Sequence, residues 1–203
     1  MTAVTERSRL KSDRRWKLLA AAKRLMAERG YLAVRLEDIG AAAGVSGPAI
    51  YRHFPNKEAM LVELLVDVST GLLAGAQAVL ADTPEPADAV AALVDFHLDF
   101  AIAEPDLIRI QDRDLANLPA SAQRQVRQAQ RRYVELWAGT LRGRDERLGD
   151  DDARVLAHAA FGLLNSTAHS LKPAADRGRS RLVLRAMTLA ALTGLQPGGG
   201  GRG

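Results

Sequence analysis

The 203-residue sequence contains no cysteine, which excludes disulfide bonds and thiolate metal sites and makes a reducing cytoplasm the expected location. Aromatic residues make up only 4% of the chain, within a hydrophobic fraction of 47% that is mainly Ala, Leu and Val. Because Ala and Leu favour helices and β-branched runs are scarce, this composition predicts an all-α fold. No apolar run approaches the roughly 18 residues that span a bilayer, and the polar N-terminus lacks an apolar signal core, so we expect no membrane partner.

Positive charge is concentrated in the first quarter of the chain. Residues 1–57 contain 12 Lys/Arg and 5 Asp/Glu, a net charge of +7, whereas the remaining residues contain 16 and 19, a net charge of −3. Such a basic segment either forms a solvated surface or binds a polyanion. Its confinement to one end of the chain favours the polyanion.

The spacing of apolar residues predicts a small helical unit joined, through one long helix from Lys57 to about Ala81, to a larger helical unit. No flexible linker separates the two units. The predicted segments are a disordered basic arm at 1–12, a three-helix unit at 13–56, a larger helical domain at 57–195 and a disordered tail at 196–203. In the larger domain, further helices are predicted at about 87–103, 105–115, 119–141, 151–171 and 179–194.

Residues 36–54 contain the physical parts of a helix-turn-helix. Two short helices are predicted on either side of a tight turn, where Gly44 can adopt the positive φ that the turn requires. Ala41 and Ala42 are small enough to let the two helices cross closely. The second helix can then enter the major groove of DNA with its N-terminus first.

The second of these helices offers hydrogen-bond donors for nucleic acid. Tyr51, Arg52 and His53 follow one another, and Ser46 can either cap the helix or bind a phosphate. Lys57 begins the next helix, where backbone N–H groups and the helix dipole also favour phosphate. The alternative interpretation makes Tyr51 a core residue and Arg52 a solvated charge.

The run AGVSGPAIYRHFPNKEAML at 43–61, with residues 30–31 and 38–39 before it, resembles the DNA-binding region of the TetR/AcrR family of repressors. The resemblance covers about residues 13–65. It implies nine or ten helices, a homodimer formed through the last two large helices, a double-stranded DNA operator, and a small-molecule effector that binds the C-terminal domain and releases the operator. No cofactor is implied.

Carried over by position, the resemblance implies phosphate contacts from Tyr51, His53 and Lys57, and a base-facing surface at Gly47, Pro48, Ala49 and Arg52. Many members carry a basic residue and Gly where this chain has Gly47 and Pro48. Pro48 is acceptable in a first helical turn, but neither residue donates a side-chain hydrogen bond, so base reading rests on close approach and on Arg52. Many members also cap the preceding helix with Ser or Thr, whereas Arg35 stands there in this chain and becomes a candidate phosphate contact.

The larger domain contains no catalytic signature: no HExxH motif, no GxSxG elbow and no dinucleotide fingerprint. We therefore expect no enzyme activity. The candidate ligand-binding residues are His97, Phe100, Arg109, Arg113, Trp137 and Asn165. If Arg109 or Arg113 points inward, an anionic ligand such as a carboxylate or an acyl-coenzyme A is favoured; a solvated surface is the alternative. For His97, Trp137 and Asn165 the alternative is an internal position in the core.

Two helices are candidates for a dimer interface. The predicted helix at 151–171 is apolar nearly all round, and Leu182, Val183 and Met187 lie on an apolar stripe of the helix at 179–194. These helices would pair with their symmetry mates in a four-helix interface. Two rival hypotheses stay open, a helical enzyme and an architectural DNA-binding protein without a ligand.

Overall fold

The computed structural model describes residues 2–170 and 176–194, with side chains from Ser12 onward. Within these residues the chain forms ten α-helices, one short 3₁₀ helix and no strand, which confirms the all-α prediction. The helices are α1 Thr2–Arg29, α2 Leu36–Ala42, α3 Gly47–Ile50, α4 Lys57–Asp82, α5 Pro86–Ala103, α6 Pro105–Asp114, the 3₁₀ helix Leu115–Asn117, α7 Ala120–Arg144, α8 Asp150–Asn165, α9 Thr167–Ser170 and α10 Arg177–Gly194.

The chain divides into two compact units, the first of Met1–Val68 and Asp106–Val126, the second of Ser69–Pro105 and Arg127–Gly203. This division differs from the predicted boundary between residues 56 and 57. The physical reason is that the first half of α4, Ile110 of α6 and the start of α7 supply side chains to the first core. Its largest fully buried side chains are Leu18, Met26, Ile39, Ile50, Phe54, Met60, Leu61, Leu65 and Ile110.

α1 begins at Thr2, so residues 2–12 are helical rather than a disordered arm. No Gly or Pro interrupts the sequence before Gly30, and residues with good helix propensity let the helical hydrogen bonds continue toward the N-terminus. Gly30 has a φ of +89° and ends α1, as predicted. Trp16, at an apolar position of α1, is 70% exposed.

The turn of the helix-turn-helix depends on two glycines. Gly44 has a φ of +66°, as the sequence predicts. The close approach, however, occurs at Gly40 and not at the exposed Ala41 and Ala42. A Cβ atom on Gly40 would lie 3.0 Å from the carbonyl oxygen of Val45, whose own N–H donates to the Gly40 carbonyl at 2.8 Å. Gly40 therefore lets the chain fold back tightly before α3 begins.

α4 is, within residues 2–170 and 176–194, the one helix long and apolar enough to span a membrane, with a mean hydropathy of 1.6 over 18 residues. Core helices of soluble proteins meet the same criterion. Glu63 and Asp67 interrupt its apolar surface. Its apolar side chains enter the two cores, with Leu61 and Leu65 buried in the first and Ala76 in the second. Only 28% of the apolar window of α4 is buried, so the two cores cover part of its apolar surface.

The second unit packs α5, α8 and α10 together with the second half of α7. The single predicted helix at 151–171 is two helices, α8 and α9, because α8 ends at Asn165. The hydroxyl of Ser166 donates to the Leu163 carbonyl at 2.6 Å and that of Thr167 to the Leu164 carbonyl at 3.1 Å. These side chains compete with the helical ladder and mark the break. The predicted tail at 196–203 lies outside the described residues.

Candidate nucleic-acid interface and ligand-binding site

α3 is a single turn whose outer side carries few side-chain donors. Gly47 and Pro48 are exposed and Ala49 is half-buried, whereas Ile50 is buried in the first core. Ser46 precedes the helix with an extended φ of −64° and ψ of 150°, and its hydroxyl makes no capping hydrogen bond. Helical hydrogen bonds continue past α3, since the N–H of His53 and that of Phe54 both donate to the Ile50 carbonyl.

Tyr51 and Arg52 lie on the surface beside α3. Tyr51 is 55% exposed, which excludes the interpretation that it is a core residue. Its hydroxyl donates to the Glu37 carboxylate at 3.4 Å. Arg52 is exposed. Both side chains are therefore accessible to a macromolecule that docks against α3.

Arg35 is exposed and precedes α2 with an extended conformation, φ −98° and ψ 156°. Its backbone N–H donates to the Asp38 carboxylate at 3.0 Å. Asp38 supplies one half of a capping box, a stabilising role that the sequence argument did not assign to it. The guanidinium of Arg35 is thus not needed for the cap.

His53 is half-buried and is held by a residue that the sequence argument did not identify. The Nη1 group of Arg15 donates to the His53 carbonyl at 2.7 Å, and its guanidinium lies 4.1 Å from the centre of the Phe54 ring. The Nε atom of Arg15 also donates to Glu63 at 3.2 Å. Arg15 therefore ties the end of the α3 segment to both α1 and α4. As one of many basic residues near the N-terminus, it carried no distinguishing sequence signal.

The ammonium group of Lys57 is hydrogen-bonded within the first unit. Its ammonium donates to the carbonyls of Tyr31 at 2.8 Å, Leu32 at 3.3 Å and Val34 at 2.9 Å, and lies 4.3 Å from the centre of the Tyr31 ring. Because α1 stops at Gly30, these carbonyls have no helical partner and need a donor. In the structure without DNA the ammonium of Lys57 is therefore directed at backbone carbonyls, and its role as a phosphate contact stays a prediction.

Arg113 also forms hydrogen bonds with the last turn of α1. Its guanidinium donates to the carbonyls of Met26 and, at 3.4 Å, Ala27. The neighbouring Asp114 is buried and accepts hydrogen bonds from Arg113 at 3.0 Å and from the Tyr31 N–H at 3.3 Å. The guanidinium of Arg113 is therefore hydrogen-bonded at the end of α1, where the Met26 carbonyl also accepts from the Gly30 N–H at 2.9 Å, and its role in ligand binding stays a prediction.

Arg109 lies on α6, in the first unit rather than in the unit that contains His97. Its Nη1 group donates to Asp106 at 2.7 Å within the same helix. Arg109 and Arg113 are thus both separated from the other four predicted ligand-binding residues, which lie together in the second unit.

His97 is the polar centre of these four residues. It is only 4% exposed, and both ring nitrogens have partners: Nδ1 accepts from the Tyr133 hydroxyl at 3.0 Å, and Nε2 donates to the Asn165 side-chain oxygen at 3.0 Å. Burial lowers the pKa of His97 to about 4. The imidazole is therefore neutral at pH 7, in the tautomer that these two hydrogen bonds require.

Four aromatic rings surround His97 and form what we call the aromatic cage. Their centroids lie at distances from the imidazole centroid of 5.1 Å for Phe161, 5.8 Å for Tyr133, 5.9 Å for Phe100 and 6.1 Å for Trp137. A chain with nine Phe, Tyr and Trp residues thus places four of them at one histidine. The indole N–H of Trp137, 1% exposed, has no acceptor of normal geometry among the described residues.

The aromatic cage offers flat apolar surfaces, a neutral imidazole and the buried indole N–H of Trp137, which makes no hydrogen bond of normal geometry but interacts with the Tyr133 hydroxyl. An unpaired buried N–H carries a desolvation cost that a ligand oxygen would relieve. The sequence argument did not select Tyr133 and Phe161 as ligand-binding residues. Helical spacing is the sequence signal that could have identified both residues. Tyr133 precedes Trp137 by four residues and Phe161 precedes Asn165 by four, so each lies on the same helix face as a predicted ligand-binding residue.

Two protein families match the sequence. Residues 18–64 match bacterial regulatory proteins of the tetR family, and residues 83–173 match a tetracyclin repressor-like C-terminal domain. Among curated relatives, the HTH-type transcriptional regulator CymR of Pseudomonas putida is 31% identical over 157 residues, which cover 75% of this chain and 76% of CymR. The HTH-type transcriptional repressor KstR2 of Rhodococcus jostii is 29% identical over 159 residues and 78% of each chain.

Solved structures share the fold. The ketosteroid transcriptional regulator KstR2 of Mycobacterium tuberculosis superimposes with a TM-score of 0.79 at 21% identity, covering 89% of this chain and 94% of its own. AibR, solved in complex with isovaleryl coenzyme A and operator DNA, superimposes with a TM-score of 0.70 at 18% identity, covering 86% of this chain and 97% of its own.

Proposed function

We propose that this chain, which belongs to the TetR family of bacterial regulatory proteins, is a ligand-released repressor. Members of this family are DNA-binding transcriptional regulators and not enzymes. In this proposal a cytoplasmic homodimer binds a near-palindromic operator, and a small molecule bound at the aromatic cage releases it. The observation that carries the proposal is the aromatic cage itself, in which a buried neutral histidine lies among four rings, one of which carries the buried indole N–H of Trp137.

The DNA-facing surface is proposed to be the exposed side of α3 and the residues beside it. Arg52 is the proposed base-reading side chain, since it is exposed and can make a bidentate contact with guanine. Tyr51, His53 and Arg35 are the proposed phosphate contacts. Gly47 supports close approach, because a Cβ atom there would meet no atom of the chain within 4 Å. Packing within the chain therefore leaves room for a side chain at this position. DNA docked closely against α3 would not leave that room.

The dimer is proposed to form through α8 and α10. Large apolar side chains on these helices are exposed to solvent, namely Val155 at 65%, Leu182 at 67%, Val183 at 50% and Met187 at 52%. Exposed apolar residues that cluster on helices indicate an interaction surface. The proposed partner is a second copy of the chain, since a two-fold dimer presents two equal reading heads to an operator.

Binding to the DNA upstream of the chain's own gene, measured by gel shift and by fluorescence anisotropy, tests the repressor proposal. Specific binding that weakens steeply with salt is expected, at two copies per site. A Trp137→Phe variant should bind the operator with the affinity of the parent protein. A ligand that releases the parent from the operator should release this variant to a different extent. The proposal is overturned if neither this DNA nor a sequence selected from a random pool is bound more tightly than unrelated DNA.

A further inference from the structure

α1 continues well beyond the core that it enters. The helix begins at Thr2, but among the side chains described from Ser12 onward the first that is buried is Leu18. At 1.5 Å per residue, the part of α1 at residues 2–17 is about 24 Å long. We call this part the α1 extension. The buried face of α1 therefore starts at Leu18, and the helix continues outward from it.

The charges of the α1 extension are sorted around the helix axis. One face, which we call the basic face, consists of Arg7, Lys11 and Arg14. At about 100° per residue, these three positions lie within about 40° of the direction of Leu18. The two acidic residues of the extension, Glu6 and Asp13, lie about 120° and 140° from that direction. The basic face is therefore in line with the buried face of α1 and contains no acidic residue.

The contacts of Arg15 show where the basic face lies within the first unit. Arg15 is about 60° from Leu18 around the axis, and it donates to the His53 carbonyl at 2.7 Å and to Glu63 of α4 at 3.2 Å. α1 therefore passes the end of the α3 segment at Arg15. Arg14, the next residue outward, is exposed, and no hydrogen bond or ion pair joins it to another residue within the described part of the chain. The basic face thus begins beside the proposed phosphate contact His53.

We propose that the α1 extension binds the phosphate backbone of DNA through its basic face, outside the groove that α3 enters; this inference rests on the DNA-binding surface proposed above. Guanidinium and ammonium groups neutralise backbone phosphates and release counterions. A helix holds the three positions on one side, so they reach the same stretch of the duplex. Phosphate contacts add affinity and fix the docking position but read no bases. They complement α3, whose outer side carries few side-chain donors.

The test compares two double variants of the full-length chain that lose the same charge. Arg7→Gln with Arg14→Gln changes the basic face, whereas Arg9→Gln with Lys17→Gln changes positions about 180° and 100° from the direction of Leu18. Each lost phosphate contact lowers the salt slope of operator binding by about 0.9, so the basic-face variant should lose about 1.8 and bind about 30-fold more weakly near 0.1 M salt. The control variant should lose less than about fivefold, since its charges lie farther from the DNA. Circular dichroism checks that both variants keep the parental melting temperature.

The inference is overturned if the two double variants bind the operator alike, whether both match the parent or both are weakened equally. Unrelated DNA gives a second criterion, because contacts with the backbone should be lost equally from the operator and from unrelated DNA. A loss confined to the operator would overturn the backbone assignment. The parent protein separates this inference from the proposed function. Specific operator binding that the basic-face variant retains in full rejects the α1 extension alone, whereas absence of specific binding by the parent rejects the repressor proposal.

Discussion

Replacing Lys57 by Ala should destabilise the protein without changing the number of phosphates it contacts. The ammonium of Lys57 donates to three carbonyls after α1 and lies over the Tyr31 ring. Hydrogen bonds from a charged donor contribute about 1.5–3 kcal/mol each when buried, and water replaces part of this at a half-exposed site. We therefore expect the free energy of unfolding to fall by about 2–3 kcal/mol. For a chain of this size the melting temperature should drop by about 4–12 °C.

Two measurements on the same proteins separate a structural lysine from a phosphate contact. Thermal unfolding followed by circular dichroism measures stability, and operator affinity at several salt concentrations gives the salt slope. Loss of one phosphate contact lowers that slope by about 0.9, whereas the structure predicts no change for Lys57→Ala at temperatures where the variant is folded. Lys57→Met keeps an apolar stem over Tyr31 but no donors, and should be nearly as destabilised.

Lys17→Ala provides a matched control, because Lys17 is an exposed lysine of α1 in the same unit. Its effect on the free energy of unfolding should stay within about 0.5 kcal/mol. The reasoning is refuted if Lys57→Ala melts at the parental temperature and its salt slope falls by about one unit. In that case the ammonium leaves the carbonyls and reaches the DNA in the complex.

Three further predictions concern the interface and the cage. Gly47→Ala should leave the melting temperature unchanged, since its Cβ meets no atom of the chain, but weaken operator binding by about tenfold in gel shifts; equal affinity would place Gly47 away from the DNA. Arg15→Ala should lower both stability and operator affinity, because Arg15 holds the His53 carbonyl and the Phe54 ring; parental operator affinity at a reduced melting temperature would limit Arg15 to a stabilising role. The pKa of His97 is lowered to about 4 in the folded protein, whereas it is about 6.5 in the unfolded chain. Between pH 6.5 and pH 4 only the unfolded chain binds a proton at this imidazole, so the free energy of unfolding falls as the pH falls. In urea unfolding, the free energy of unfolding should fall by about 2 kcal/mol between pH 7 and pH 5 because of this residue. The His97→Gln variant should not show this loss, whereas a matched His158→Gln variant should still show it.

Local sequence determined the helices and the tight turns. Gly44 has the positive φ predicted for it, and Gly30 has one too, because a residue without a Cβ adopts that backbone without strain. α5 and α6 begin at Pro86 and Pro105, where the missing N–H and fixed φ suit a first turn. Asn56 accepts a hydrogen bond from the Ala59 N–H at 2.8 Å and so caps the start of α4, a role for which Asn is a preferred residue. Each of these effects acts within about one helical turn, so the neighbouring residues suffice to predict it.

Only the tertiary structure decided the partners of the long charged side chains and the composition of the cage. Arg113 and Lys57 are basic residues, as expected of ligand or phosphate contacts, yet in this structure both donate to backbone carbonyls near the end of α1, and Arg113 reaches a carbonyl 87 residues earlier in the chain. A flexible guanidinium or ammonium group binds whichever acceptor the fold brings within reach, and its own sequence does not encode that acceptor. His97 likewise gained Tyr133 and Asn165 from α7 and α8, 36 and 68 residues away, because helix packing and not helical period sets which faces meet.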